Sequence, residues 1–547
     1  MQPAGLSQMR FRAWAIALAL ALVPAATALA GDWPQWGGRD ERNMVADVQG
    51  LPDTFQPREI PDAERAAETG DPPAPRNVKW SAALGSQTYG NPTVSGGRVF
   101  VGTNNTRPRD PQFEEDRCVV LCFRESDGEF LWQLAVPKIP EKDKFNGDFK
   151  ELGITSSPTL EGDRVYLVTN RCEVLCLDAK GLADGNDGPF KDEAQYLATP
   201  KNHTITEGPD GPVVAFTPGN PVALGRADPD ILWRFDMVRE VGPWVQDASN
   251  CSILIHGNYL YVNTSNGVDK SHTHLPSPKA PSLIALDKRT GALAAVDDAD
   301  IGPHILHGQW SSPSLGVVGG RALLFFGGGD GVCYAFDPKP AAGKDGAPGT
   351  LRKVWWFDGN PPDLRFRDSK PIPYNKAKGD GPSEIIGTPV FHNNRVYVTV
   401  GQDPRHGTGK GCLSCIDATG TGDISQSGKV WTYSGLDRSL ATPSIADGLL
   451  YVADFTGILH CLDAETGECY WKHDTGSRIW ASTLVADGKV YLGTEKGDLW
   501  VLAAGKECKV LSRIRMGCPV YATPIVANGI LYVASQKRLY AVQAGCP

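Results

Sequence analysis

The feature that most constrains this chain is a unit of four short strands that recurs eight times. The clearest copy, ATPSIADGLLYVADFTGILHCLDAETGECYWKHD, runs from Ala441 to Asp474. A small-Thr-Pro entry leads into one strand, Ala-Asp-Gly turns into LLYVAD, Thr-Gly leads into LHCLD, and Ala-Glu-Thr-Gly turns into a Trp-bearing strand. Four alternating strands joined by Gly-containing turns make one antiparallel propeller blade. The entry returns as YGNP at Tyr89, TSSP at Thr155, ASNC at Ala248, WSSP at Trp310, IGTP at Ile386, LATP at Leu440, WAST at Trp480 and YATP at Tyr521. The repeat overrides the several domains of about 150 residues that length alone would suggest. It predicts an all-β fold: an eight-bladed β-propeller of four-stranded antiparallel blades, in the manner of WD40/YVTN-like repeat architectures.

The fourth strand carries Trp132, Trp233, Trp355, Trp431 and Trp471, whereas the third and seventh copies, near Ala295 and Val510, lack it. The eighth copy stops after RLYAVQAG, and an orphan strand of the missing type, NVKWSAAL at Asn77–Leu84, precedes the first entry. Ring closure by that N-terminal strand completes the last blade and removes an open edge. The third strand's central position reads Cys122, Cys176, Ala285, Ala335, Cys415, Cys461, Val501 and Ala541. Cys there packs as a small hydrophobe. Cys118 and Cys172, four residues before their partners on a strand, lie about 13 Å from them, too far to bridge. Pairing of the 13 cysteines stays open on spacing alone.

Arg10 and Arg12 precede an apolar run from Ala13 to Val23, and Ala28-Leu29-Ala30 is a small-x-small cleavage site. The expectation is a secretory signal over 1–30 cleaved after Ala30, a clasp and linker over 31–76, and a propeller over 77–547. A periplasmic or secreted monomer follows, with no transmembrane segment. The whole chain carries a formal charge of −9. Without the two Arg of the leader, and with no acids lost, that becomes −11. An acidic chain without a basic block excludes nucleic acid as a partner class.

The first-to-second turns are all tight (SGGR, EGDR, HGNY, VGGR, HNNR, ADGL, ADGK, ANGI), so insertions crowd the opposite face. They fall at Asn104–Arg117, Met237–Ala248, Asn266–Pro281, Gly359–Glu384 and Gly401–Gly411. Elaborated loops on one rim of a rigid scaffold are where binding usually sits. That rim supplies the candidate binding residues Asp269, His272, His274, His304, His307, Gln309, Trp310, Asp330, Asp403, His406, Trp480 and Tyr521. Their spacings match no dedicated metal motif, and no metal ligand or catalytic residue is assigned. GGGDG around Asp330 lies between strands, which excludes a helix-based phosphate cradle. The long Gly/Pro/Asp-rich excursion from Lys180 to Asp230 interrupts a third-to-fourth turn and is expected on the other face, as a mostly irregular segment that is either a tolerated insertion or an interaction loop.

GDWPQWGGRDERNMV at Gly31–Val45 resembles the opening of quinoprotein dehydrogenases, which carry pyrroloquinoline quinone (PQQ). With the LDAETGxxxW turn and eight closed repeats, nearly the whole mature chain resembles the PQQ-like propeller superfamily. DWPQW, NVKW, the SSP entries, GGGDG and GQDPRHG look like exported bacterial PQQ-like repeat proteins. The scaffold propeller of the outer-membrane assembly machinery is also similar, but its lipid-anchoring Cys has no counterpart after the cleavage site. The resemblance would imply a PQQ-dependent dehydrogenase with Ca²⁺. Such enzymes need adjacent cysteines, a Glu near the first entry and a catalytic Asp. This chain has no Cys-Cys pair and has Tyr89-Gly-Asn91-Pro92 at that entry, and Asp330 is the nearest Asp by blade position. The expectation is a non-catalytic exported scaffold without cofactor, binding a protein or cell-envelope partner through its elaborated face. The alternative is a divergent quinoprotein-type oxidoreductase using the same face. Trp33 and Trp36 are expected to pack against the propeller and steady its closure.

Overall fold

A computed structural model describes residues 31–57, 77–138, 150–208, 211–344, 346–374, 381–403 and 410–546, together with Met1. Most of the expected leader, linker residues 58–76 and His406 lie outside these. Eight antiparallel blades form the ring. The sixth is representative, with strands Ser444–Ala446, Leu449–Ala453, Ile458–Asp463 and Cys469–Asp474. The last blade is completed by the N-terminal strand Val78–Ala83, antiparallel to Arg538–Val542 with Trp80 opposite Ala541.

The conserved-looking positions of the repeat follow from two packing rules. Across each blade, the small third-strand residue stands between two larger neighbours. Cys122 is flanked by Phe100 and Trp132, Cys176 by Tyr166 and Trp233, and Cys461 by Tyr451 and Trp471. With strands about 4.8 Å apart, two rings fit only if the side chain between them is small. All thirteen cysteines are free, and nine are buried. Burial pushes the Cys172 and Cys461 thiols up to about 12, so these are packing groups.

Between blades, each fourth-strand Trp docks on its neighbour's last turn. Its indole N–H donates to a backbone carbonyl there: Trp132 to Ala179 (2.9 Å), Trp355 to Ala418 (3.1 Å), Trp471 to Gly505 (2.9 Å) and Trp80 to Glu125 (2.8 Å). The turn glycine explains itself here. Gly467 has φ +76°, and a Cβ on it would lie 2.7 Å from the Trp431 ring.

The segment after Gly31 does more than close one blade. Its backbone and side chains meet all eight innermost strands beside the tight turns. Gly31 accepts from Asn528, Trp33 pairs reciprocally with Val94, and Pro34 accepts from Leu160. Asp40, Glu41 and Met44 accept from Leu315, Phe391 and Val485, and Asn43 exchanges two bonds with Ile445. Arg42 fills the remaining junction, donating to Ser252, Ile253 and Pro313 carbonyls. Val45–Ala46 then runs parallel to Leu484–Ala486. This strap pairs the inner edges that a ring of sheets otherwise leaves open. Trp33 is buried in it, whereas Trp36 points into the channel.

The excursion at 180–230 departs from the expectation. It is partly regular, with a helical turn at Glu193–Tyr196 and a hairpin pairing Asn202–Gly208 with Gly211–Thr217. It also leaves the tight-turn face and climbs to the elaborated one. There Arg117 donates to the Leu197 carbonyl (2.6 Å), and Tyr196 donates to the buried Glu173 carboxylate (2.7 Å). The Arg171 guanidinium lies 5.3 Å from the Tyr196 ring and 4.8 Å from Phe216. Hydrogen bonds and cation–π contacts hold the insertion to blades one and two, so it is built into the rim.

Candidate functional site

The channel mouth is organised by the entry tetrapeptide. Its third residue forms a hydrogen-bonded belt around the axis, in which a hydroxyl or amide oxygen of one blade accepts from a neighbouring blade's backbone N–H. Asn91 donates to Ser157, Ser157 to Ser252, Ser252 to Ser312, Thr388 to Thr442, Thr442 to Ser482 and Ser482 to Thr523, and Thr523 returns to Asn91. That demand is why Ser, Thr or Asn stands there. Proline follows where the inner edge needs no ladder donor. The belt also corrects one alignment: the third blade's entry is Asn250-Cys251-Ser252-Ile253, two residues later than ASNC.

The first residue of the entry lines a cavity of about 250 Å³ above the belt. Tyr89, Thr155, Asn250, Trp310, Ile386, Leu440 and Trp480 all face it, with Trp36 of the strap below and Asp247 and Asp403 from the links. Tyr521, the eighth of the series, stands behind the wall, its ring 5.2 Å from Tyr89 and 5.3 Å from Trp480. Of the residues proposed from sequence, Trp310, Trp480 and Asp403 line the cavity.

The other candidates order the rim. The buried Asp269 carboxylate accepts from the Ser271 N–H (2.8 Å) and so fixes a turn. His272 Nδ1 lies 2.8 Å from His307 Nε2. His307 is fully buried, its ring 5.6 Å from Trp310 and 6.0 Å from Tyr374. Gln309 donates to Ser282 Oγ (3.0 Å) inside the ring. Asp330 does not line the cavity. It is buried, accepts from Val332 N–H and the Tyr334 hydroxyl, and is pushed up to about 6 by desolvation. His274 and His304 are exposed.

Sequence reasoning missed Glu384. It is wholly buried at the end of the Gly359–Glu384 insertion, accepting from Asp403 N–H (2.9 Å), with the Tyr374 hydroxyl 3.5 Å away. Desolvation, with Asp403 nearby, pushes its carboxyl up to about 8, so it holds a proton at neutral pH. A lone Glu in a long insertion gives no sequence signal for that, because the burial comes from distant loops. Tyr89 had a signal, since it occupies the same entry position as Trp310, Trp480 and Tyr521.

A bound PQQ would present three carboxylates and need cations. Among the described residues lining the cavity there is no Lys or Arg, and the charged ones are Asp247 and Asp403. No group of three or more His, Cys, Asp or Glu among the described residues could hold a metal ion. The described residues therefore do not fit that cofactor. No helix among them is long and apolar enough to cross a membrane.

Residues 73–183 and 409–510 match the family model described as outer membrane protein assembly factor BamB. The Shewanella oneidensis protein of that name is 28% identical over 149 residues, which is 24% of this chain and 38% of that protein. The quinohemoprotein alcohol dehydrogenase of Comamonas testosteroni is 30% identical over 112 residues, 17% of this chain and 15% of the enzyme. The chain thus spans well under half of either relative. Among solved structures, BamB from Moraxella catarrhalis aligns over 85% of this chain and 98% of its own, at 14% identity and a TM-score of 0.46. The fold is an eight-bladed propeller of antiparallel sheets, and two of its stretches match that family model.

Proposed function

We propose that this chain is a non-catalytic, exported propeller scaffold that binds a protein or cell-envelope partner through its elaborated face, without a quinone cofactor. One observation carries the reading. The strap occupies the inner edges on the tight-turn face, so the open mouth and the insertions at 104–117, 237–248, 266–281 and 359–384 are left on the other. The named relatives of the outer-membrane assembly factor family support an envelope role, and the leader read at 1–30 supports export to the periplasm or beyond. The rim offers contact groups: Phe366 is exposed on a small hairpin, Phe366–Arg367 with Lys370–Pro371.

A site-specific photo-crosslinker tests this in the producing cells. Placed at Phe366 it should capture one discrete envelope partner, and placed at Val317, exposed on the blade-four strand beside a tight turn, it should capture none. Equal capture from both positions, or none from the rim, would remove the proposal. A second reading, a divergent oxidoreductase at the mouth, draws on the protonated Glu384 beside Asp403 and Tyr374. Those groups resemble an acid–base set. The absence of Lys and Arg among the described lining residues counts against a quinone partner for them.

A further inference from the structure

The wall of the cavity at the mouth is chemically two-sided. In a ring of eight, the third blade stands opposite the seventh across the axis. Asn250 of blade three is therefore set against Trp480 of blade seven, and Tyr89 of blade one extends the aromatic side, its ring 6.2 Å from Trp480. Trp310 of blade four and Trp36 of the strap add two more rings. The wall indoles direct their N–H to groups outside the lining: Trp310 to the Gln246 carbonyl (3.2 Å) and Trp480 to the Glu495 carboxylate (2.9 Å). What they offer the cavity is apolar ring surface.

The blade-three side is polar and short of partners. The Asn250 side-chain carbonyl is buried with no hydrogen-bond partner among the described residues. Gln246, wholly buried one residue before the lining Asp247, has none at either end of its side-chain amide. Buried amide groups without partners are rare, and at a cavity they point to a group from outside the chain. The mouth has no single sign of charge. Asp247 and Asp403 line it. The Arg438 and Arg478 guanidinium groups lie 4.7 and 5.5 Å from the ring of Phe455, which packs on Trp480 at 5.2 Å. Arg438 is close enough to Asp403 to feel its charge. Such a mixed field singles out neither a cation nor an anion. It favours a neutral ligand with one apolar face and a hydroxyl-bearing edge.

We infer that the mouth takes a single neutral pyranose ring of gluco configuration, free or at the end of a glycan. Equatorial hydroxyls leave the C–H faces of such a ring flat, so one face stacks on Trp480 and Tyr89. The hydroxyl edge donates to the Asn250 carbonyl and to Asp247. A cavity of about 250 Å³ holds one ring rather than a chain. The inference rests on the mouth being a recognition site, as proposed above, and names the chemistry it recognises.

Tryptophan fluorescence and thermal melting of the full mature chain test it, with methyl β-D-glucopyranoside as the probe and tetramethylammonium chloride as the charged control. The glucoside should shift the emission and raise the melting temperature. Trp480→Ala should bind it roughly tenfold more weakly. Asn250→Ala should weaken binding as much, yet melt no lower than the native chain without sugar, because the oxygen removed has no partner to lose. No response to the glucoside, a response to tetramethylammonium alone, or unchanged affinity in both variants would each overturn the inference. If Trp480→Ala fails to fold, saturation-transfer NMR on the native chain decides. Transfer from aromatic protons to the sugar's ring C–H protons supports the site, and its absence overturns it. Cellobiose binding as well as the monosaccharide supports a glycan end as the source, and binding of the monosaccharide alone supports free sugar. These readings use the isolated chain, so their failure leaves partner capture at Phe366 standing, and failed capture leaves sugar binding standing.

Discussion

The two faces of this propeller solve the same problem, covering the ends of a ring of sheets, by different physics. On the tight-turn face, one strap satisfies the inner edges with backbone bonds, and each blade contributes a strand end in the same register. On the elaborated face, loops of unequal length meet through side chains, and several of those are buried ionisable groups. The first arrangement is repetitive and rests on hydrogen bonds to each blade. The second is irregular, holds a carboxyl at about 8 and an imidazole pair, and so responds to its medium. Stability is concentrated on one face, and adaptability on the other.

Perturbations should separate the faces, beginning with the strap. Deleting residues 31–48 removes bonds to every blade and the buried Trp33, Met44 and Val48. At about 2 kcal/mol per large apolar side chain and about 1 per hydrogen bond, the loss is on the order of 10 kcal/mol. The cooperative thermal transition followed by circular dichroism should disappear; a shift of only a few degrees would mean the blades hold themselves. Arg42→Ala is the next largest, because it orphans buried carbonyls at blades three and four, and should cost roughly 3 kcal/mol in denaturant titrations.

Glu384→Gln should act in the opposite direction and only at higher pH. The folded carboxyl titrates at about 8, above its unfolded value near 4.5. Native stability is therefore full below about 4.5 and falls as pH rises toward 8. The variant should flatten that decline and melt higher than the native chain at pH 8, by a few kcal/mol at most, and equally at pH 4.5. Trp471→Phe removes one docking bond and part of a ring, costing about 1–2 kcal/mol without changing the rim. His304→Ala, on an exposed side chain, should stay within about 0.5 kcal/mol.

Much of this was legible in the sequence. Blade number, closure by Trp80 and the small third-strand residues follow from strict local periodicity, which geometry then enforces. The entry tetrapeptide also encoded the cavity: its first residue lines it and its third forms the belt, once Ser252 is placed in register. What was not legible depends on contacts distant in sequence. Nothing local marks Arg42 as the donor between blades three and four, or Glu384 as neutral. The excursion at 180–230 read as irregular because its order comes from side chains outside it, Arg171 and Glu173 of blade two and Arg117 of blade one. Asp330 was singled out by position, and its burial against Tyr334 and a turn N–H could not be read from its neighbours in sequence.

Recognition at the mouth without quinone chemistry is tested most directly by one measurement. The mature protein is incubated with PQQ and Ca²⁺, passed through gel filtration, and read for quinone absorbance and dye-linked alcohol oxidation. With no Lys or Arg among the described residues lining the cavity, the expected result is no retained quinone and no oxidation. Stoichiometric quinone carried through the column, with oxidation that falls in Glu384→Gln or Asp403→Asn, would contradict it.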